Sequence, residues 1–297
     1  MRKRSNDDDS SPWARARSAR PQQTHRPKPP AVEADAPTPR AGRASSNETR
    51  WYGLNACLAA FAKRPEALRK VYLVEARIPA LKPVLAWCVK HRLGYRIVED
   101  IDLEKLTGSR HHEGVCFEML RTPPLDLAQL LAAQPAAPSP SLLLWLDGVG
   151  NPHNLGALLR SAAHFGAGGV IVPADSDLDI SGAAARVAEG AAEVVPLARA
   201  PADARTQATL HAAGYVCAAT VPRDGTPLYG APLPPRLVLM FGAEGEGMSS
   251  ALIDAADLKL TIPGSGAIES LNVAASVAVI LGEYWRQHPQ RTSKSRP

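Results

Sequence analysis

Apolar residues recur in two periodic stretches, separated by a proline-rich one. In the first, Leu54, Leu58 and Phe61 stand at helical spacing and predict a helix over 51–64. The pattern then predicts a strand over 71–75, an amphipathic helix over 79–92, a strand over 95–98, a short helix over 102–107 and a strand over 115–120. A module of about 70 residues is small but viable. Residues 122–141 hold five prolines and several alanines and read as a linker. The second stretch begins with Leu142-Leu-Leu-Trp-Leu146, a continuous apolar run that fits a strand buried on both faces. Beyond it, strands are predicted over 169–173, 193–197, 215–220, 237–241 and 258–262. Helices are predicted over 154–165, 182–191, 202–213, 249–255 and 270–287. Alternation of this kind implies right-handed crossovers and a mostly parallel α/β sheet, whose ligands sit in loops at the strand carboxyl ends.

The remaining chain differs. Residues 1–50 contain seven prolines and, beyond alanine, one aliphatic side chain, Val32. Such a segment cannot bury enough apolar surface to offset its ordering entropy, and a disordered tail is expected. The whole chain is 45% hydrophobic, enough for a globular core, with no apolar window long enough for a membrane span. The N-terminus has no signal-peptide pattern, so a cytoplasmic protein is expected. Cys57, Cys88, Cys116 and Cys217 lie 28 or more residues apart without a C-x-x-C pair, which suits core packing in a reducing compartment, with no metal. Adjacent His111 and His112 read as a polar loop. The net charge of +5 is uneven: +5 over residues 1–50, +3 over 51–140 and −3 over 141–297. A basic front on a mildly acidic body suggests a polyanion partner for the front.

Three loops carry unusual residues. After the strand at 142–146 comes Asp147-Gly-Val-Gly-Asn-Pro-His-Asn154-Leu-Gly156, with Asn154 a candidate N-cap and Arg160 alone on a small, apolar helix. After 237–241 comes Gly242-Ala-Glu244-Gly245-Glu-Gly247, where three glycines permit close backbone approach to a ligand. After 258–262 comes Pro263-Gly-Ser-Gly266 and then Ser270-Leu-Asn272-Val, with Ser270 or Glu269 as candidate caps of the final helix. Neither G-x-G-x-x-G nor a P-loop is present, which removes a dinucleotide-dependent oxidoreductase.

Asn154-x-Gly156-x-x-x-Arg160, Gly242-x-Glu244-Gly245-x-Gly247 and Ile262-Pro263 through Ser270-Leu-Asn272 resemble, in order and spacing, the three motifs of SpoU-type (SPOUT class, TrmH-like) RNA ribose 2′-O-methyltransferases. Tyr52-Gly53-Leu-Asn55 and His112-Glu-Gly114-Val115 resemble the ribosomal-protein-like substrate-binding domain that precedes the knot in some members. The stretches H-H-x-G-V-C-F and N-P-H-N-L-G point to a bacterial tRNA/rRNA methyltransferase subgroup.

The resemblance implies a trefoil-knotted methyltransferase domain at 142–288, a substrate-binding domain at 51–121, a linker at 122–141 and basic tails at 1–50 and 289–297. It implies S-adenosyl-L-methionine held by Gly242, Ile262 and Leu271. It places Arg160 at the ribose 2′-hydroxyl of an rRNA or tRNA, contributed by the opposite subunit of a homodimer, with Asn154, Glu244, Ser270 and Asn272 completing the site. Ala243 departs from the Asn or Ser common at that place, without removing a role. The alternative is a non-catalytic RNA-binding or ribosome-assembly factor on the same fold.

Overall fold

The computed structural model describes residues 47–289 except Glu244 and Glu246, so the expected tails lie almost wholly outside the described residues. The first sheet starts earlier than the pattern predicts. β1 (Glu48–Tyr52) ends in Trp51 and Tyr52, whose rings go to opposite faces, and Gly53 turns the chain at φ +90° into α1 (Leu54–Lys63). The helix expected over 51–64 therefore loses its first turn to a strand, and residues 48–50 of the expected tail are ordered. β2 (Leu68–Leu73), α2 (Ile78–His91), β3 (Gly94–Ile97), α3 (Asp100–Thr107) and β4 (Val115–Leu120) follow the prediction closely. The sheet order is β1-β4-β2-β3, with β4 antiparallel to both neighbours and β2 parallel to β3. α1 and α2 cover one face through Cys57, Leu81, Val84 and Cys88, while Leu103 of α3 covers the other.

The segment expected as a linker holds β5 (Leu125–Asp126) and α4 (Leu127–Ala132). Asp126 and Gln129 form a capping box: Gln129 N–H donates to Asp126 Oδ1 at 2.7 Å, and Asp126 N–H to Gln129 Oε1 at 3.0 Å. Then come β6 (Ser141–Asp147), α5 (Pro152–Phe165), β7 (Gly169–Pro173), α6 (Gly182–Ala188), β8 (Leu197–Ala200), α7 (Ala204–Ala212), β9 (Val216–Thr220), β10 (Thr226–Pro227), β11 (Arg236–Gly242), α8 (Ser250–Asp254), β12 (Leu258–Thr261) and α9 (Val273–Gln287). The strand expected over 193–197 is displaced. Residues 191–193 form a short 3₁₀ turn, Val194 is exposed, and pairing with β7 begins only at Leu197, after Pro196.

β5 to β12 make one eight-stranded sheet in the order β10-β12-β9-β11-β6-β7-β8-β5, parallel at every pair. Leu142, Leu144 and Leu146 of β6 face α5, α6 and α9, whereas Leu143 and Trp145 face α4, α7 and α8, which is why that run is apolar throughout. The two sheets belong to one compact unit. α6 is wedged between them: a Cβ on Gly156 of α5 would lie 2.5 Å from Ala184 O, and one on Gly182 would lie 2.2 Å from Arg50 O. Arg64 and Glu193 close the seam with a half-buried ion pair at 2.8 Å.

All four cysteines are free and buried, as expected of core packing. Burial raises their thiols, those of Cys116 and Cys217 to about 12. Among the described residues, no helix is long and apolar enough to cross a membrane.

Candidate active site

β6 and β11 lie side by side, and their register sets Asp147 opposite Gly242. The first two loops therefore leave the sheet together, at the place where the chain runs outward to β7 on one side and to β9 and β12 on the other. A strand-order reversal of this kind opens a crevice at the carboxyl ends. Asp147 Oδ2 accepts from Ser249 N–H at 3.0 Å, which fastens the far end of the second loop to the first. Within the second loop, Ala243 and Gly247 exchange two main-chain hydrogen bonds of 2.9 Å. That hairpin requires glycine at 242, where a Cβ would lie 2.2 Å from the Gly247 carbonyl carbon. Glu244, the carboxylate singled out in the sequence, lies outside the described residues.

The third loop meets the first through two asparagines. Asn272 caps α9, its Oδ1 accepting from Ala274 N–H (2.9 Å) and Ala275 N–H (3.4 Å). Its Nδ2 donates to Asn154 Oδ1 at 3.1 Å. The caps expected at Ser270 or Glu269 are thus corrected to Asn272, and the helix starts three residues later than predicted. The cap expected at Asn154 is corrected to Asn151, which accepts from His153 N–H at 2.9 Å with Pro152 opening the helix. Because Asn151 takes the capping role, the Asn154 side chain is available to Asn272.

From Pro263 to Leu271, the main chain makes no hydrogen bond to other main chain among the described residues. Within this run only Ala267 N–H donates to a side chain among the described residues, to Ser265 Oγ at 3.3 Å, and Ile268 and Leu271 are 69% and 42% exposed. Ile262 is half-buried against the core and Gly242 is half-buried at the head of β11. Apolar side chains, open main-chain groups and a glycine with little room for a Cβ form a surface suited to a nucleoside. Ser270 is exposed with no hydrogen-bond partner among the described residues.

Arg160 is exposed on α5, and its side chain has no ion pair or hydrogen bond among the described residues. It lies about 9 Å along the helix axis from Asn154 and on another face. Contacts within one chain bring Asn154, Asn272 and the loop ends together and leave Arg160 apart from them.

Two other features could be mistaken for the site. A cavity of about 480 Å³ lies at the seam between the sheets, walled by Trp51, Arg64, Arg121 and Glu193, away from the three loops. His211, Cys217 and Asp257 approach one another closely enough for a metal, a grouping the sequence spacing hides. Asp257 Oδ2 is already engaged, with Cys217 N–H at 2.7 Å and His211 Nε2 at 2.8 Å, and the Cys217 thiol is raised by burial. This cluster ties α7 to the ends of β9 and β12. Asp147 and Asn151, the braces of the first loop, escaped sequence reasoning; their signal was a polar residue directly after an apolar strand and one directly before a helix-opening proline.

The SpoU rRNA Methylase family model matches residues 141–282, and a model for RNA 2′-O ribose methyltransferase substrate binding matches residues 51–121. The chain is 38% identical to the Escherichia coli O157:H7 protein named "Uncharacterized tRNA/rRNA methyltransferase YfiF", over 83% of this chain and 70% of that one. It is 39% identical to the 23S rRNA (guanosine-2′-O-)-methyltransferase RlmB of Pasteurella multocida, over 80% of this chain and 97% of that one. Among solved structures, one described as an RNA 2′-O ribose methyltransferase superposes with a TM-score of 0.66 at 27% identity, covering 81% of this chain and 89% of that one.

Proposed function

The chain belongs to the SpoU family of S-adenosylmethionine-dependent RNA 2′-O-methyltransferases, and on that premise we propose how its residues divide the work on a ribose of rRNA or tRNA. The observation that carries the proposal is the Asn154–Asn272 link beside the open main chain of 263–271 and the glycine hairpin of β11. Gly242, Ile262 and Leu271 hold the adenosine part of the cofactor, by close backbone approach at the first and apolar contact at the others. Bound there, S-adenosylmethionine supplies the methyl group as a sulfonium electrophile.

The protein's remaining task is to orient and activate a weak nucleophile, the 2′-hydroxyl. A guanidinium does not deprotonate in proteins, so an arginine is a poor base and a good partner for phosphate or alkoxide. The partner subunit's Arg160 binds the neighbouring phosphate and stabilises the oxyanion as it develops, while the proton leaves to phosphate or water. A homodimer supplies that arginine, which fits its exposure and its distance from the asparagines of its own chain. Asn154, Glu244, Ser270 and Asn272 complete the hydrogen-bonded surround. The trefoil knot, a cytoplasmic location and metal-free chemistry belong to the same reading.

The test is mass-spectrometric mapping of 2′-O-methylated nucleotides in rRNA and tRNA from cells with and without the protein. The expected result is one methyl group lost on deletion and restored by the wild type but not by Arg160→Ala. Restoration by Arg160→Ala at the wild-type level would remove arginine from the chemistry.

A further inference from the structure

The first sheet has two unlike edges. β1, at one edge, is covered: Gly182 and Arg186 of α6 press on Arg50, Tyr52 and Gly53, and Arg186 approaches Glu113 at 3.6 Å. Asn55 Nδ2 donates to Glu189 Oε2 at 2.6 Å, so the start of α1 is engaged with the second sheet too. β3, at the opposite edge, pairs only with β2 among the described residues, and all four of its residues are exposed.

That open edge is short, and it carries two large apolar side chains. Tyr95 and Ile97 pair in register with Val71 and Leu73, which puts them on the face that α2 covers farther in. They remain 44% and 54% exposed, and Val89 near the end of α2 is 66% exposed. Along the segment that carries them the charge has one sign, up to Glu99 and Asp100 just beyond β3. From Arg77 to Ile97 there are five Lys or Arg and no Asp or Glu. Lys82, Lys90, Arg92 and Arg96 of this stretch have no ion pair or hydrogen bond through their side chains among the described residues. Arg77, at the start of the stretch, is engaged with the Glu113 carbonyl, and elsewhere in the first module Arg50 is engaged with Glu118, Arg64 with Glu193 and Arg110 with Glu104. Lys82, Leu85, Val89 and Arg92 recur at three- and four-residue intervals, so cations and apolar groups share one stripe of α2. Arg92 occupies the left-handed C-cap position at φ +55°, where glycine is the usual residue.

An exposed tyrosine among unpaired cations, with no carboxylate in the segment, is the chemistry of a single-stranded polynucleotide platform: bases stack and phosphates are neutralised. We propose that the α2–β3 edge, rather than the covered β1 end, grips a single-stranded segment of the RNA substrate, with Tyr95 as the stacking residue and Lys90 and Arg92 at the phosphates. This inference rests on RNA being the substrate. The edge lies across the sheet from the contact with α6, so it acts in recruitment and not at the reacting ribose.

The experiment uses the full chain and a fluorescein-labelled single-stranded RNA of mixed sequence about 12 nucleotides long, within the site sizes of such surfaces. Anisotropy titrations at several salt concentrations compare wild type with Tyr95→Ala and with Lys90→Glu/Arg92→Glu, each checked for an unchanged melting temperature. Both variants should lose affinity by about tenfold or more, the range of one lost stack or a few lost phosphate contacts, with a shallower salt dependence in the second. In methyl transfer to unmethylated rRNA, KM should rise and kcat at saturating RNA should stay. Wild-type affinity and salt dependence in both variants overturn the proposal, and so does loss of self-association by sedimentation with RNA binding intact, which would assign the edge to a second protein chain. A wild-type chain that binds the oligonucleotide through this edge yet methylates no RNA would sink the functional reading and leave the edge standing.

Discussion

β6 and β11 are neighbours along their whole length, yet their two ends are built to opposite specifications. At the amino end the polar groups are engaged, the buried Arg236 Nε excepted. Ser141 N–H donates to Pro235 O at 2.8 Å, and Ser141 Oγ meets Tyr215 OH at 2.7 Å. Arg236 donates to Pro135 O at 2.8 Å while its guanidinium stacks on the Tyr215 ring at 4.3 Å, and Tyr284 OH donates to Pro235 O. At the carboxyl end, Gly148, Gly245, Gly247 and Gly266 take positive φ, and the main chain of the third loop makes no hydrogen bond to other main chain among the described residues. Satisfied hydrogen bonds at one end supply rigidity, and open ones at the other supply a surface for a ligand. Mutations at the two ends should therefore fail in different assays.

The largest effect is expected on the active-site side. Arg160→Ala should lower turnover on the order of 10³-fold, the scale of losing a preorganised transition-state charge partner. Cofactor affinity by calorimetry and the melting temperature should both stay, because the side chain is exposed without partners among the described residues. A melting temperature that fell with activity would make Arg160 structural. Gly242→Ala should come next. Its Cβ meets backbone rather than a flexible side chain, so the hairpin must shift, at a cost of about 1–3 kcal/mol, and cofactor affinity should drop with it. Retained affinity would separate this loop from the cofactor.

Two asparagine variants sharpen the contrast. Asn272→Ala loses the α9 cap, worth about 1 kcal/mol, together with the link to Asn154. Asn272→Asp keeps a capping oxygen but cannot donate to Asn154, so it should keep stability and lose turnover. Equal turnover in the Asp variant and the wild type would show that the link is dispensable. At the opposite end, Tyr284→Phe removes one hydroxyl donor whose pKa burial has raised to about 12, so it is neutral at ordinary pH. Its loss should cost about 1 kcal/mol in denaturant unfolding, leaving kcat as it was.

The apolar runs were the most legible part of the sequence. Leu142 to Leu146 announced a strand covered on both faces, and the strands at 115–120 and 169–173 fall where the pattern put them. What escaped is decided by partners distant in sequence. β1 is a strand because β4 pairs with it across more than 60 residues, and the Trp51-Tyr52 pair alone cannot distinguish a strand end from a helix start. Val194 and Val195 look like strand, yet the ladder with β7 starts beyond Pro196. Asn154 and Asn272 were visible as site candidates, but which of several polar residues caps each helix was not. Capping depends on where the preceding loop enters, and Pro152 moved one cap forward while the third loop moved the other back.

The smallest expected effect tests whether the engaged end behaves as a unit. α9 spans both specifications: its first turn is capped at the active site, and its last turn ties to the segment before β11. Gln287 accepts from Leu233 N–H at 2.9 Å and donates to Ala231 O at 2.9 Å, while also donating to Glu283 at 2.7 Å. Arg286 pairs with the same carboxylate through two hydrogen bonds, of 2.8 and 2.7 Å. Those bonds from Arg286 and then Gln287 hold the Glu283 carboxyl at about 2, below its ordinary value of 4.5, against the opposing effect of burial. A carboxyl lowered in the folded state adds stability that is full above about 4.5 and is lost as pH falls toward 2, because the unfolded chain takes up a proton first. Other carboxylates titrate in the same window, so the informative quantity is the difference in melting temperature between wild type and Glu283→Gln. That gap should be widest at neutral pH and close as the pH drops below about 4.5, while neutral-pH kcat and cofactor affinity stay equal in the two proteins. A gap that stayed constant with pH would mean that Glu283 holds α9 by shape alone, and a change in kcat would mean that the two ends of β6 and β11 are coupled through this helix.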